Sequence, residues 1–405
     1  MPAIPRIRSD RRVPQRALRL CSVVLLLALA SALALNFAIP RNVVRAATRT
    51  GADTIVLVHG FSGYQDYGSF NGPGCGLPPG GGTFGNVVNY LTQPHDINGQ
   101  QRTWGRQDFR GLQYYKYDAK CGHYGNNYPG NIPLTGGGAC TVDCENLHNP
   151  IYGNRCNNYR PFGISADWDG SNNESIYHLS CLLAWYLYLD FDPNWNVEIV
   201  AHSMGGLIIR NAIYQVVQHK DPSMPPSLPH ISDVVTFATP HGGAPAGIFC
   251  ANCQQGKEMT QYSYFMNEMA NSAQNPQAPG GTDWTMMGSE CDSVNAGSAT
   301  YMDQGEKIIF SSSGYNQSQG ICYDHGGYLN DGNDGDLADT RWCDGCGRQP
   351  MQWNTWNSSP RSLHRMMYGL WKSPDSLRGR SNLVQNAGFN LPGFFPTPWQ
   401  LMPST

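Results

Sequence analysis

Ser203 is the residue around which a reaction can be built. It stands at the apex of Val197–Gly206, V-E-I-V-A-H-S-M-G-G, between an apolar run and the helical pattern Leu207–Ile213. A strand, a sharp turn and a helix with serine at the turn lift Oγ out of a sheet as a nucleophile. Such a turn needs small neighbours two residues before and two after, and Ala201 and Gly205 supply them. The pattern is therefore A-x-S-x-G. A serine nucleophile also needs a base, a carboxylate behind the base, and donors for a developing oxyanion. The backbone amides of Met204, directly after the serine, and of Phe61, after His59-Gly60, are the candidate oxyanion donors.

On a parallel α/β sheet the acid and base follow the nucleophile in the order Ser, Asp/Glu, His. The last clear strand in the sequence is Lys307–Phe310, and only His325 and His364 come after it. His364 opens a terminal helix behind Ser359-Pro360-Arg361 and is the expected base. His325 lies in a Gly/Asp loop ahead of the favoured acids and fits less well. His59, His202 and His241 flank the serine from earlier strands and read as structural or pocket-lining. Asp324, Asp331, Asp334, Asp336, Asp339 and Asp344 all qualify as the acid by position. Asp334 is preferred because Gly335 permits a tight turn beside it. The run Asp331–Asp336 does not follow the helix–loop–helix calcium pattern, having Asp336 where glycine belongs. No metal and no cofactor are expected.

The elements that must hold these residues alternate. Thr54–His59 and Val234–Ala238 are apolar runs that read as buried parallel strands, and Leu112–Asp118 is a further strand candidate. Phe84–Leu91 reads as a short helix. Ser175–Phe191 is apolar at helical spacing and predicts a long amphipathic helix, and Ser362–Lys372 predicts a last one. Alternation of this kind implies right-handed crossovers and a mostly parallel central sheet flanked by helices. His59-Gly60, Ser203 and Thr239-Pro240-His241 all fall at the carboxyl ends of strands, where such sheets carry their sites.

The chain begins with six arginines between positions 6 and 19, then an uncharged apolar run, Val23–Leu35. This predicts a secretory signal over residues 1–46. Taking its eight Arg and one Asp from 27 basic and 30 acidic residues leaves 19 and 29, a net charge of −10. An acidic surface of this kind excludes nucleic acid as the expected partner. Cys21 lies within the signal, and the other twelve cysteines predict disulfides in an exported chain. Cys250-x-x-Cys253 and Cys343-x-x-Cys346 also have the spacing of a four-thiolate zinc site.

Taken together, V-L-V-H-G-F, A-H-S-M-G-G, A-T-P-H-G-G, I-I-F-S-S-S-G, N-D-G-D-L and the late Leu363-His364 resemble the secreted bacterial lipases of the α/β-hydrolase superfamily. The resemblance implies an α/β-hydrolase fold with Cys-rich loop insertions, the acid at Asp334 of the N-D-G motif and the base at His364. Lipases of the pseudomonad type follow the base with Leu and a calcium-binding Asp. Arg365 and Met366 stand there instead, so that calcium site is not expected. The expected organisation is a catalytic domain over 47–375 with insertions at about 68–82, 121–162 and 245–300, and a Pro/aromatic tail over 376–405. The Met/aromatic-rich segment 245–300 is the candidate lid or acyl-chain surface. The expected activity is hydrolysis of carboxylic esters, most simply of triacylglycerols, by a secreted enzyme. The partner is then lipid or ester substrate, met at a lipid–water interface without stable membrane insertion. Small-ester or polyester esterase and phospholipase are the rival activities. A binding module on the same fold would not need the full Ser, Asp, His set, and a zinc hydrolase would carry a His-x-His or H-E-x-x-H signature that is missing.

Overall fold

The computed structural model describes residues 54–61, 83–97, 100–105, 109–112, 156, 172–191, 195–272, 274–294, 298–303, 305–333, 337–344 and 357–371. Strand β1 (Thr54–Val58) lies between β4 (Phe109–Leu112) and β5 (Asn196–His202), parallel to both. Beyond β5 the sheet continues in parallel through β6 (His230–Phe237), β7 (Asp283–Ser289) and β8 (Glu306–Phe310). It then turns antiparallel through β9 (Leu337–Asp344) and β10 (Asn357–Pro360), which makes eight strands among the described residues. A separate hairpin pairs β2 (His95–Ile97) with β3 (Gln100–Arg102).

Period-two alternation divides the core into two layers. Val56 and Val58 of β1 join Val197, Ile199 and Ala201 of β5 on one face, beneath helices α2 (Ile176–Asp190) and α3 (Met204–Val217). Ile55 and Leu57 point the other way, with Val200, Val235, Phe237, Met287 and Ile308, toward α1 (Gly85–Leu91) and α7 (Ser362–Trp371). All five β1 residues are buried. Each fully buried Val, Leu or Ile contributes roughly 1.5–3 kcal/mol, and a one-residue slip of register would exchange the two sets. Gly369 lets α7 close on the sheet, since a Cβ there would stand 2.9 Å from both Thr285 Oγ1 and Val235 Cγ2.

Three expectations change here. Residues 283–289, expected inside the 245–300 insertion, form the central strand β7. Helix α2 is buried on nearly every side rather than amphipathic, because Cys156 bridges to Cys181 and the segment after β6 covers its outer face. That segment carries α4 (Gln254–Met259) and α5 (Tyr264–Ser272), and the short α6 (Gly314–Ser318) follows β8. From α4, Glu258 accepts hydrogen bonds from Ile176 N–H and Ser175 Oγ at 2.6 Å, and Phe265 of α5 meets Tyr177 edge-on. Phe109–Leu112 is a strand that reaches the first residue of the one expected over Leu112–Asp118, of which 113–118 lie outside the described residues. Cys250 and Cys253 are unbridged, so the twelve cysteines are not all paired. Cys343 is disulfide-bonded, which removes it from the four-thiolate alternative. The signal segment, the 68–82 and 121–162 insertions save Cys156, and the tail lie outside the described residues. Among the described residues no helix is long and apolar enough to cross a membrane.

Candidate active site

Strand β5 delivers its last residue, His202, to the edge of the sheet, and α3 starts at Met204. Between them Ser203 has φ 53° and ψ −128°, a conformation a non-glycine residue holds only under constraint. The constraint is visible on all sides. Ser203 N–H donates to Phe237 O at 2.8 Å. A Cβ on Gly205 would stand 2.2 Å from Val58 O, and one on Gly60 would stand 2.5 Å from Ser203 Cβ. The two glycines let β1, β5 and α3 converge where a side chain would hold them apart. Met204 is the first residue of α3, whose leading amides have no partner within the helix, and Phe61 directly follows Gly60.

Ser203 Oγ is hydrogen-bonded to His325 Nε2 at 2.8 Å. His325 Nδ1 in turn lies 3.1 Å from Asp292 Oδ2 and 3.2 Å from Oδ1. The Asp292 carboxylate is fully buried, while the His325 ring is about a quarter exposed, so the imidazole meets solvent and the carboxylate does not. Asp292 is held from its own loop by Val294 N–H at 2.9 Å, and across the core by Tyr328 Oη at 3.3 Å. Burial first, and then the carboxylate charge, push the Tyr328 hydroxyl well above its ordinary range, so it remains a donor. A Cys291–Cys322 disulfide, Cα atoms 5.4 Å apart, ties the residue before Asp292 to the loop that carries His325.

His202 clamps the base from the other side. Its Nε2 donates to the His325 carbonyl at 2.7 Å. Burial, and secondly His325 itself, lower His202 from 6.5 to about 4, which keeps this ring neutral beside the His325 ring. Phe249, from the segment after β6, stands edge-on to His325 at 6.2 Å and 5.4 Å from Phe61. His241 is a core residue: Arg210 donates to its carbonyl at 2.8 Å and its Nε2 lies 3.1 Å from Thr236 Oγ1.

Ser203 is hydrogen-bonded to His325 and not to the expected His364. His364 lies on α7, which Arg365 anchors to the buried carboxylate of Glu306, and its Nδ1 is bonded to Tyr90 Oη at 2.8 Å. Asp334 and Asp336 lie outside the described residues. Asp331 is engaged by Arg361 at 3.2 Å and by Tyr323 at 2.7 Å. Asp324 caps the turn behind His325, accepting from Gly327 N–H at 2.8 Å, and Asp339 accepts from Ser313 Oγ at 2.8 Å.

The missed residues follow from the missed strand. With β7 in place, Asp292 stands just past the carboxyl end of one strand and His325 in the loop after the next, in the order Ser, Asp, His. The signal was Ser289-Glu290-Cys291-Asp292 set against Cys322-Tyr323-Asp324-His325, two short loops each with a cysteine near a catalytic residue type. Among the described residues no group of three or more His, Cys, Asp or Glu side chains is arranged to hold a metal ion.

The parallel order of β4, β1, β5, β6, β7 and β8, with a strained serine between β5 and α3, defines an α/β-hydrolase-like fold. No family model matches the chain and no curated protein matches it. Among solved structures it is similar to the mature form of Bacillus licheniformis lipase BlEst2, at TM-score 0.28 and 12% identity, covering 58% of this chain and 65% of that one. It is also similar to Aspergillus fumigatus lipase B, at TM-score 0.35 and 13% identity, covering 84% of this chain and 62% of that one. The chain thus spans somewhat under two thirds of the length of both, and likeness at this level is too slight to argue from.

Proposed function

We propose that the protein is a serine hydrolase of carboxylic esters in which Ser203 is the nucleophile, His325 the base and Asp292 the acid. The observation that carries this reading is the continuous chain Ser203 Oγ–His325 Nε2, 2.8 Å, and His325 Nδ1–Asp292, 3.1 Å. In the first half-reaction Ser203 Oγ attacks the ester carbonyl while its proton passes to His325 Nε2. Asp292, buried against Nδ1, stabilises the imidazolium and fixes the tautomer. The amides of Met204 and Phe61 receive the tetrahedral oxygen's negative charge. His325 then returns the proton to the leaving alcohol, which departs and leaves an acyl ester on Ser203. Water, deprotonated by the same imidazole, releases the acid in the second half.

Triacylglycerols are the proposed substrate class, and export is the proposed fate. Supporting these are the Arg-rich apolar segment over 1–46, the disulfides, and the Met/aromatic segment after β6 that sets Phe249 against His325. The test is hydrolysis of p-nitrophenyl esters of graded chain length beside an emulsified triglyceride, for the wild type and Ser203→Ala. Loss of roughly 10^4-fold or more in kcat with unchanged thermal unfolding is expected of the variant. A variant keeping a third of wild-type turnover would end the reading. A rate that falls steadily with acyl length would move it from lipase to small-ester esterase.

A further inference from the structure

Cys250-Ala251-Asn252-Cys253 directly follows Phe249, and hydrolysis makes no use of it. These are the two unbridged cysteines among the described residues. Each sulfur is turned into the other's backbone. Cys253 N–H donates to Cys250 Sγ at 3.1 Å, and the Cys253 thiol donates to the Cys250 carbonyl at 3.4 Å. Gly256 makes the tight fold possible, because a Cβ there would stand 2.1 Å from Cys250 O. The two thiols differ in access, Cys250 being partly exposed and Cys253 only 5% exposed. An amide donating to sulfur favours the thiolate. The contact with Cys253 lowers the Cys250 thiol from its ordinary range, while burial pushes Cys253 up to about 11. One sulfur is thus partly exposed and activated, and its neighbour is sheltered and protonated.

We propose that Cys250 and Cys253 form a thiol–disulfide exchange site for small disulfides, with Cys250 attacking and Cys253 resolving, and that its state reaches His325 through Phe249. The Cys250 thiolate attacks one sulfur of an external disulfide such as oxidised glutathione. That S–S bond breaks, one glutathione thiolate leaves, and a mixed disulfide remains on Cys250. Cys253 then loses its proton to solvent, attacks Cys250 Sγ and expels the second glutathione thiolate. Two electrons pass from the cysteine pair to glutathione, and the 250–253 turn is closed by a covalent bond. Phe249 is joined to Cys250 through one peptide bond, and its ring lies against both Phe61 and His325, so closure repositions a group that packs on the base. The activity part of this inference rests on the hydrolase reading, and the thiol part does not.

The experiment uses the full chain equilibrated in glutathione buffers of graded ratio, trapped with iodoacetamide and mapped by peptide mass spectrometry, with ester hydrolysis followed in parallel. Cys250–Cys253 is expected to open in buffers that leave Cys156–Cys181 and Cys291–Cys322 intact. Cys253→Ser is expected to trap glutathione on Cys250, and Cys250→Ser to trap none. The value of kcat/KM should differ by about threefold or more between the open and closed pair, and be insensitive to the buffer in the double serine variant. A pair that opens only together with the other bridges, glutathione trapped on Cys253, or equal rates in both states would overturn the proposal. If Ser203→Ala retained full activity while the pair titrated as expected, the hydrolase reading would fail and the exchange site would stand.

Discussion

Two histidines in this molecule, His325 and His364, each hold a hydroxyl on a ring nitrogen, yet their surroundings differ. His325 lies in a loop past β8, with Ser203 on one nitrogen and buried Asp292 on the other. His364 lies on α7, its Nδ1 bonded to Tyr90, and Asp331, a candidate acid by sequence, is engaged by Arg361. The tyrosines differ in the same sense. Tyr328 is bonded to the carboxylate behind the first histidine, Asp292, while Tyr90 is bonded to the second histidine itself. What separates the two clusters is where they stand on the sheet. Loops past the carboxyl ends of β7 and β8 open beside the turn past β5, whereas α7 packs against the face of β6 and β7 through Leu363, Met366, Met367 and Leu370. His325 meets Ser203 because its backbone comes off the right end of the sheet, and proximity to an acidic run in sequence is not enough.

The comparison breaks most cleanly at the histidines themselves. His325→Ala is expected to lose roughly 10^4-fold or more in kcat, and His364→Ala to stay within about threefold, on the same p-nitrophenyl ester. Equal losses would mean that the two clusters are not functionally distinct. The acids give a smaller contrast. Asp292→Asn should cost about 10^2–10^4 in kcat, because it keeps shape while favouring the wrong imidazole tautomer. Asp331→Asn should leave kcat within about threefold but lower stability by roughly 1–3 kcal/mol in urea unfolding, since it weakens a largely buried contact with Arg361. An Asp331→Asn enzyme crippled in kcat at full stability would return the acid to the second cluster.

The smallest effect tests the clamp on the first cluster. His202 takes a proton near 6.5 when free and near 4 in the fold, burial being the largest cause. The stability from its neutral form is therefore full above the unfolded value and is lost as pH falls from about 6.5 toward about 4. The thermal midpoint of the wild type should fall through that window, and His202→Gln, which still donates to the His325 carbonyl, should fall less. An identical fall in both would show that other groups govern the acid limb.

Much of this arrangement is legible in the sequence, and the part that is not has a physical cause. Strands β1, β5, β6 and β8 announce themselves as runs of Val and Ile, and the small residues around Ser203 predict its turn. Strand β7 does not announce itself. Asp283–Ser289 reads D-W-T-M-M-G-S, with one β-branched residue and two methionines, which fill irregular cores in any secondary structure. Its strand identity comes from lying between β6 and β8, a tertiary fact. Without it Lys307–Phe310 is the only late strand in view, and acid and base are both sought too far along the chain. The antiparallel β9 and β10 were equally hidden, because L-A-D-T-R-W-C-D carries charges that only a half-exposed strand near the sheet edge tolerates. The turn at Ser203, the helix start at Met204 and the strand end before Phe61 are legible because their signals are local.

The central claim, that His325 is what makes Ser203 a nucleophile, is tested most directly by labelling. A fluorophosphonate reacts covalently with a serine only when its base is in place, and mass spectrometry locates the adduct. Ser203 should be labelled in the wild type and in His364→Ala, and remain unlabelled in a folded His325→Ala protein over the same time. Labelling of Ser203 that survives in His325→Ala and disappears in His364→Ala would contradict the account.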